Sequence, residues 1–188
     1  NALLNKERVI VSNISGTTRD AIDSKVKYEG EEFILVDTAG IRKKSKVDWG
    51  IEKFAVDRSI RAIRNCDVAI LVVDATEGIT DQDKKIAGTI IDAGKAIILA
   101  INKWDLIEDK QSNTINKFES EIEKEMPFLS YAPKVFISAK TKQRLVNLYK
   151  LSKEVYSETS KRIATSLLNR VIIDAVSMNP PASIRGKR

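Results

Sequence analysis

Ala96-Ile97-Ile98-Leu99-Ala100-Ile101-Asn102-Lys103-Trp104-Asp105 is the stretch that decides the fold. Six consecutive apolar residues fit a strand covered on both faces, as in a parallel sheet. The polar residues after it fall at the strand's carboxyl end, where open α/β sheets bind ligands. Asn102-Lys103-Trp104-Asp105 supplies what guanine recognition needs. An Asp carboxylate accepts two hydrogen bonds from the ring N–H and exocyclic amine of guanine. Adenine lacks that donor pair and would leave the carboxylate without a partner. The Lys103 stem can cover one face of the base, and Asn102 can pin the loop and touch the ring. The same residue types also make plain strand-to-helix turns, so position, not composition, gives the tetrapeptide its weight.

Three further apolar runs share this layout. Phe33-Ile34-Leu35-Val36 ends at Asp37, Val68-Ala69-Ile70-Leu71-Val72-Val73 at Asp74, and Val135-Phe136-Ile137 at Ser138. Helical patterns lie between and after them, at roughly 51–65, 81–93, 114–126 and 144–158, with Gly94 as a stop for the second. Ser24 to Tyr28 alternates and is separated from the Phe33 run by a Glu-Gly-Glu turn, which predicts one antiparallel pair in an otherwise parallel sheet. The expected fold is α/β, doubly wound, over 1–160. Ile163, Leu167, Val171 and Ala175 recur every four residues and predict a helix over 163–178, stopped by Pro180-Pro181. Residues 161–188 read as the first element of a second domain.

Composition narrows the chemistry. The 188 residues include one cysteine and no histidine, which excludes His-based metal sites, His-assisted nucleophiles and imidazole bases. A domain of this size buries enough surface to fold without disulfides, and a lone Cys66 fits a reducing, cytoplasmic compartment. Net charge is +6, but residues 140–188 hold 11 basic and 3 acidic side chains against 21 and 23 in the remainder. That excess fits either a solvated helix face or a polyanionic partner such as RNA. No apolar run approaches the ~18 residues of a membrane span, and no signal-peptide pattern opens the chain.

Asp37-Thr38-Ala39-Gly40 also follows an apolar run. The Asp can hold Mg²⁺ through water, and the Gly lets a backbone N–H approach a terminal phosphate. Ser15-Gly16-Thr17-Thr18-Arg19-Asp20 places Thr hydroxyls in a polar stretch that could sense Mg²⁺ and a γ-phosphate. A backbone N–H of Ser138-Ala139-Lys140 could reach the guanine carbonyl oxygen. In this order the four motifs match the G domain of P-loop GTPases over roughly 1–160. Gly16 to Asp20 and Asp37-Thr38-Ala39-Gly40-Ile41-Arg42 resemble the branch that contains Era, TrmE and EngA/Der. Asp74-Ala75-Thr76-Glu77-Gly78-Ile79-Thr80, Lys103-Trp104-Asp105-Leu106, Tyr131-Ala132-Pro133 and Thr165-Ser166-Leu167-Leu168-Asn169 resemble the second G domain of the EngA/Der family.

The resemblance implies a monomeric, GTP-hydrolysing switch that assists assembly of the large ribosomal subunit and touches its rRNA, with no membrane partner. It implies that the last helix begins a KH-like domain. It assigns GTP or GDP contacts to Thr17, Thr18, Asp37, Thr38, Ala39, Gly40, Ile41, Asn102, Lys103, Trp104, Asp105, Ser138, Ala139 and Lys140. Mg²⁺ would be held by Thr18 and, through water, Asp37; K⁺ would lie near Ser12, Ile14 and Thr17. Ile41 stands where Ras-like enzymes carry a water-positioning Gln, so catalysis would rest on positioning and cations, with no general base assigned. A TrmE- or Era-like enzyme acting on tRNA or rRNA is the near alternative, and a non-hydrolysing interaction module the distant one.

No G-x-x-x-x-G-K-[ST] occurs. Asn1-Ala2-Leu3-Leu4-Asn5-Lys6 resembles the end of the helix after that loop, so the expectation is a segment without the first strand and P-loop, a poor triphosphate binder by itself. Arg42-Lys43-Lys44-Ser45-Lys46 reads as a solvated loop or a nucleic-acid contact, and Trp49 as a partner anchor or a packing residue. Glu119, Glu121, Glu123 and Glu125 spread around a helix instead of clustering, and Cys66 is expected in the core near a strand start.

Overall fold

The computed structural model describes residues 3, 10–13, 24–36, 59–108 and 111–180. The chain divides into two compact units, Asn1–Tyr156 and Ser157–Arg188. In order, the elements are β1 (Ile10–Asn13), β2 (Ser24–Tyr28), β3 (Glu31–Leu35), β4 (Val68–Asp74), α1 (Asp81–Asp92), β5 (Ala96–Asn102), α2 (Thr114–Glu125), β6 (Lys134–Phe136), α3 (Leu145–Thr159) and α4 (Thr165–Met178). Residues 59–65 are also helical, and single 3₁₀ turns occupy Trp104–Leu106 and Pro127–Leu129.

β4, β5 and β6 form a parallel sheet with β5 in the middle. Residues 97–101 are all buried, as a strand with both faces covered requires. On one face Leu71, Val73, Leu99 and Ile101 pack with Ala87 and Ile90 of α1 and Ile122 of α2. On the other, Ile98, Ala100, Val135 and Ile137 pack with Leu145 and Leu148 of α3. Helices on both faces make this the doubly wound arrangement that the apolar runs predict. Burying each such aliphatic side chain contributes about 1.5–3 kcal/mol.

Local chemistry sets the helix ends. Thr80 and Asp83 close a capping box at the start of α1, with the Thr80 N–H donating to Asp83 Oδ2 at 2.9 Å. At its end Gly94 takes φ 66°, its N–H donates to the Ile91 carbonyl, and Lys95 N–H donates to the Ile90 carbonyl. That double bond is the Schellman pattern, which needs a left-handed residue. Lys84 of α1 and Glu125 of α2 pair at 2.5 Å, while Glu123 reaches Lys134 at 3.6 Å. The α2 acids thus face different neighbours. Cys66 is half-buried against the larger core, two residues before β4, and its thiol donates to the Ile63 carbonyl at 3.2 Å.

The other sheet is antiparallel. β2 and β3 are joined through Glu29 (φ 49°) and Gly30 (φ 83°), the paired left-handed conformation of a tight hairpin. Val26 and Tyr28 face inward, and Tyr28 stacks on Tyr149 of α3 at 5.2 Å between ring centroids. Here the structure differs from the expected single sheet with one antiparallel pair. β1, only four residues long and not evident as an apolar run, pairs with β2 from Ile10↔Lys27 to Asn13↔Ser24. β3 pairs with β2, and among the described residues the two sheets share no ladder. Ile34 of β3 and Val72 of β4, each on an edge strand of its sheet, are more than half exposed.

In the second unit α4 runs from Thr165, two residues later than the periodicity suggests, because Ala164 is extended (φ −62°, ψ 133°). Its Leu167, Leu168, Val171 and Ile172 are exposed. Among the described residues no helix is long and apolar enough to cross a membrane.

Candidate functional site

The carboxyl ends of β4, β5 and β6 lie side by side. Parallel register sets Asp74 opposite Asn102, and the Ala75 N–H donates to the Asn102 carbonyl at 2.9 Å. On the β6 side the ladder runs on past the strand: Ile137 N–H donates to the Ile101 carbonyl at 2.8 Å, and Trp104 N–H to the Ile137 carbonyl at 3.0 Å. The two loops that follow are joined by a side chain, since Asn102 Oδ1 accepts from the Ala139 N–H at 2.9 Å. Asn102 thereby acts as the pin its position suggests.

Lys103 adopts the left-handed region (φ 63°, ψ 28°), which costs a non-glycine residue about 1 kcal/mol. This turn carries its ammonium back over the sheet end, 2.5 Å from Asp74 Oδ2. Asp105 lies one residue beyond Trp104 in the 3₁₀ turn, half-buried at the same end of the sheet. Ser138 is fully buried; its Oγ accepts from Thr141 N–H at 3.0 Å, and its N–H donates to the Gln143 carbonyl at 3.2 Å. The resulting tight loop presents half-buried Ala139 and exposed Lys140 beside Asn102.

Two of the expected site residues make contacts that the motif does not specify. Trp104 is assigned to the base site by the motif, yet its ring is only 3% exposed and packs against Phe118 (centroids 5.2 Å) and Phe136 (4.6 Å). An indole of that size is stabilised by burial, so its side chain anchors the loop after β5 to the core. The Ala139 N–H, expected to meet a guanine carbonyl oxygen, donates to Asn102, because a backbone donor at a half-buried position takes a strong acceptor within reach. A guanine carbonyl would share that N–H or take it over.

The structure also brings in Asp74, which the motif reading leaves out. Its carboxyl is 4% exposed as a residue, and Oδ1 accepts from Thr76 N–H (3.0 Å) and Thr76 Oγ1–H (2.7 Å). Burial pushes this carboxyl up, but the Lys103 ammonium and the two Thr76 hydrogen bonds outweigh it and hold the group at about 2. The signal available in the sequence was a single polar residue closing the β4 run. Of the remaining candidates, Ser12 lies in β1. Ile14, Thr17, Thr18, Asp37, Thr38, Ala39, Gly40 and Ile41 lie outside the described residues, as do Arg42 to Lys46 and Trp49.

Comparison with known proteins agrees with the α/β fold. Residues 1–103 match the family described as 50S ribosome-binding GTPase. The chain is 51% identical over all 188 residues to GTPase Der of Staphylococcus carnosus and 53% identical to that of Listeria welshimeri. It spans 43% of the length of these curated relatives. Among solved structures, Era in complex with MgGDPNP and nucleotides 1506–1542 of 16S ribosomal RNA superposes with a TM-score of 0.63 at 31% identity, over 82% of this chain and 50% of that one. A probable GTP-binding protein engB gives 0.56 at 19% identity, over 76% of this chain and 86% of that one, a likeness of fold.

Proposed function

The chain belongs to the 50S ribosome-binding GTPase family, and from that premise we propose that it is the guanine-reading and switch portion of a protein that binds and hydrolyses GTP during assembly of the large ribosomal subunit. The observation that carries the reading is the gathering of Asn102, Lys103, Asp105 and Ala139 at one sheet end, with Asn102 joining the two loops through its 2.9 Å bond to Ala139. A carboxylate beside a lysine stem, on a loop tied at both sides, selects guanine by its paired donors. The relatives at 51–53% identity carry the name GTPase Der, against 31% for Era, which favours a Der-like role over an Era-like one.

On this reading Thr18 and Asp37 hold Mg²⁺, an assignment supported by donor chemistry: a hydroxyl and a carboxylate oxygen suit a hard cation. The bound metal supplies charge neutralisation at the β- and γ-phosphates. Thr17, Thr38, Ala39, Gly40 and Ile41 then line the γ-phosphate side, and Ser12, Ile14 and Thr17 are the positions for K⁺. The basic C-terminal quarter, with α4 opening a KH-like domain after residue 160, is the surface for ribosomal RNA; Era, the structural neighbour, is itself bound to a 16S fragment. The protein works as a cytoplasmic monomer.

Phosphate release from GTP and ATP by the full-length protein, with and without K⁺, tests the proposal. The expected result is Mg²⁺-dependent hydrolysis of GTP, slow alone and faster with K⁺. Retention of GTP without turnover in either salt would leave a binding module in place of an enzyme. Equal use of ATP would remove the guanine reading.

A further inference from the structure

Lys103 is the residue whose stem is to lie over the base, and a lysine stem carries rotamer freedom that must be lost when it is ordered. Its backbone is left-handed and its ammonium sits 2.5 Å from a carboxylate that is almost fully enclosed. That carboxylate comes from the neighbouring strand: Asp74 is register partner to Asn102, so its side chain rises beside the loop it serves. The Thr76 N–H and hydroxyl both fasten Oδ1, which leaves the carboxylate plane fixed before any ligand arrives.

In an ion pair between an enclosed Asp and a half-exposed Lys, desolvating the carboxylate offsets part of the attraction. What the pair does achieve is order. A lysine held in one rotamer at the mouth of a site has already lost the freedom that ligand binding would otherwise remove, and this lowers the dissociation rate of whatever it covers. We propose that Asp74 is a positioning residue for the guanine nucleotide, acting through Lys103: it holds the ammonium so that the aliphatic stem lies in place over the base. The inference rests on the guanine-binding reading of the loop after β5.

The test is a double-mutant cycle on the full-length protein, read as dissociation of fluorescently labelled GDP, with melting of each variant in the absence of nucleotide as the control for folding. Asp74→Asn should speed dissociation about tenfold, the usual worth of a charge-assisted contact. In the Lys103→Met background, which keeps an apolar stem and removes the ammonium, the same change should alter dissociation less than about twofold. Equal acceleration in both backgrounds would mean that Asp74 acts through the Thr76 turn, and no acceleration would overturn the proposal outright. A wild-type protein that fails to retain GDP would instead refute the guanine reading beneath it. A second measurement needs no variant: acylation of lysines in the GDP-bound wild type should modify Lys103 several times more slowly than exposed Lys140. Labelling at equal rates would sink the proposal even if Asp74→Asn did not fold.

Discussion

The two sheets lead into the loops that carry the candidate residues in opposite ways. β5 is buried from Ile97 to Ile101 and carries helices on both faces; β2 alternates, with Val26 and Tyr28 inside and Lys27 outside. In the parallel sheet β4 and β5 end in polar residues pinned by their neighbours, Asp74 by Thr76 and Asn102 by Ala75 and Ala139. In the antiparallel sheet β1 and β3 flank the stretches that carry Thr17-Thr18 and Asp37 to Gly40. On the proposed reading the loops of the parallel sheet hold a base, which needs groups that do not move, and those after β1 and β3 answer to a terminal phosphate. Covering both faces suits the first task; one packed face, resting on Tyr149, suits the second.

The sharpest way to break that comparison is at the pinned end. Asp105→Asn should weaken GDP and GTP binding by about a thousandfold or more, since the site then faces the ring N–H and amine with a donor in place of an acceptor. Affinity for xanthine nucleotides, which offer a carbonyl at that position, should rise, and titration with both bases checks the exchange. If GDP affinity is unchanged, the loop after β5 does not read the base.

Next come the cores. Leu99→Ala, in the strand with both faces covered, should cost about 3 kcal/mol in denaturant unfolding. Ile34→Ala, on the exposed side of β3, should cost less than about 0.5 kcal/mol. Equal costs would erase the difference between the sheets.

Acid offers a third, smaller effect. Asp74 has its carboxyl lowered from 3.8 to about 2 in the folded protein. A depressed carboxyl contributes stability that is fully present above pH 4 and is lost as pH falls from about 4 to 2, some 2 kcal/mol in all. Asp74→Asn should remove that segment of the stability curve while leaving the rest of its shape.

The smallest effect belongs to the antiparallel side. The Tyr149 hydroxyl donates to the Leu3 carbonyl at 3.1 Å, and burial pushes the phenol up to about 12. Tyr149→Phe should lower stability by about 1 kcal/mol at neutral pH. In the wild type the raised phenol means stability falls as pH rises from 10 to 12, because the unfolded chain ionises first; the Phe variant should lack that decline.

Much of this was legible in residue order. Apolar runs of six residues closed by Asp74 and Asn102, and one of three closed by Ser138, marked strands with two covered faces and loops at one end, and Gly94 marked a helix stop. β1 was not picked out: Val9-Ile10-Val11 is a short apolar run closed by Ser12, and pairing to β2 is what makes Ile10–Asn13 a strand. Asn102 and Asp105 were read correctly as neighbours at a sheet end. The burial of Trp104 was not legible, because a motif gives order along the chain without saying which way the indole turns.

By itself, then, the sequence determined which segments are extended, which ends are polar, and that guanine-type donors and acceptors are spaced on one loop. These follow from local periodicity and the chemistry of single side chains. Only tertiary structure decided that Trp104 points into the core, that Ala139 and Asn102 bond across 37 positions, and that Asp74 meets Lys103 across 29. Such pairings depend on strand register and on which buried polar groups need partners, and neither is written in any short stretch of the chain.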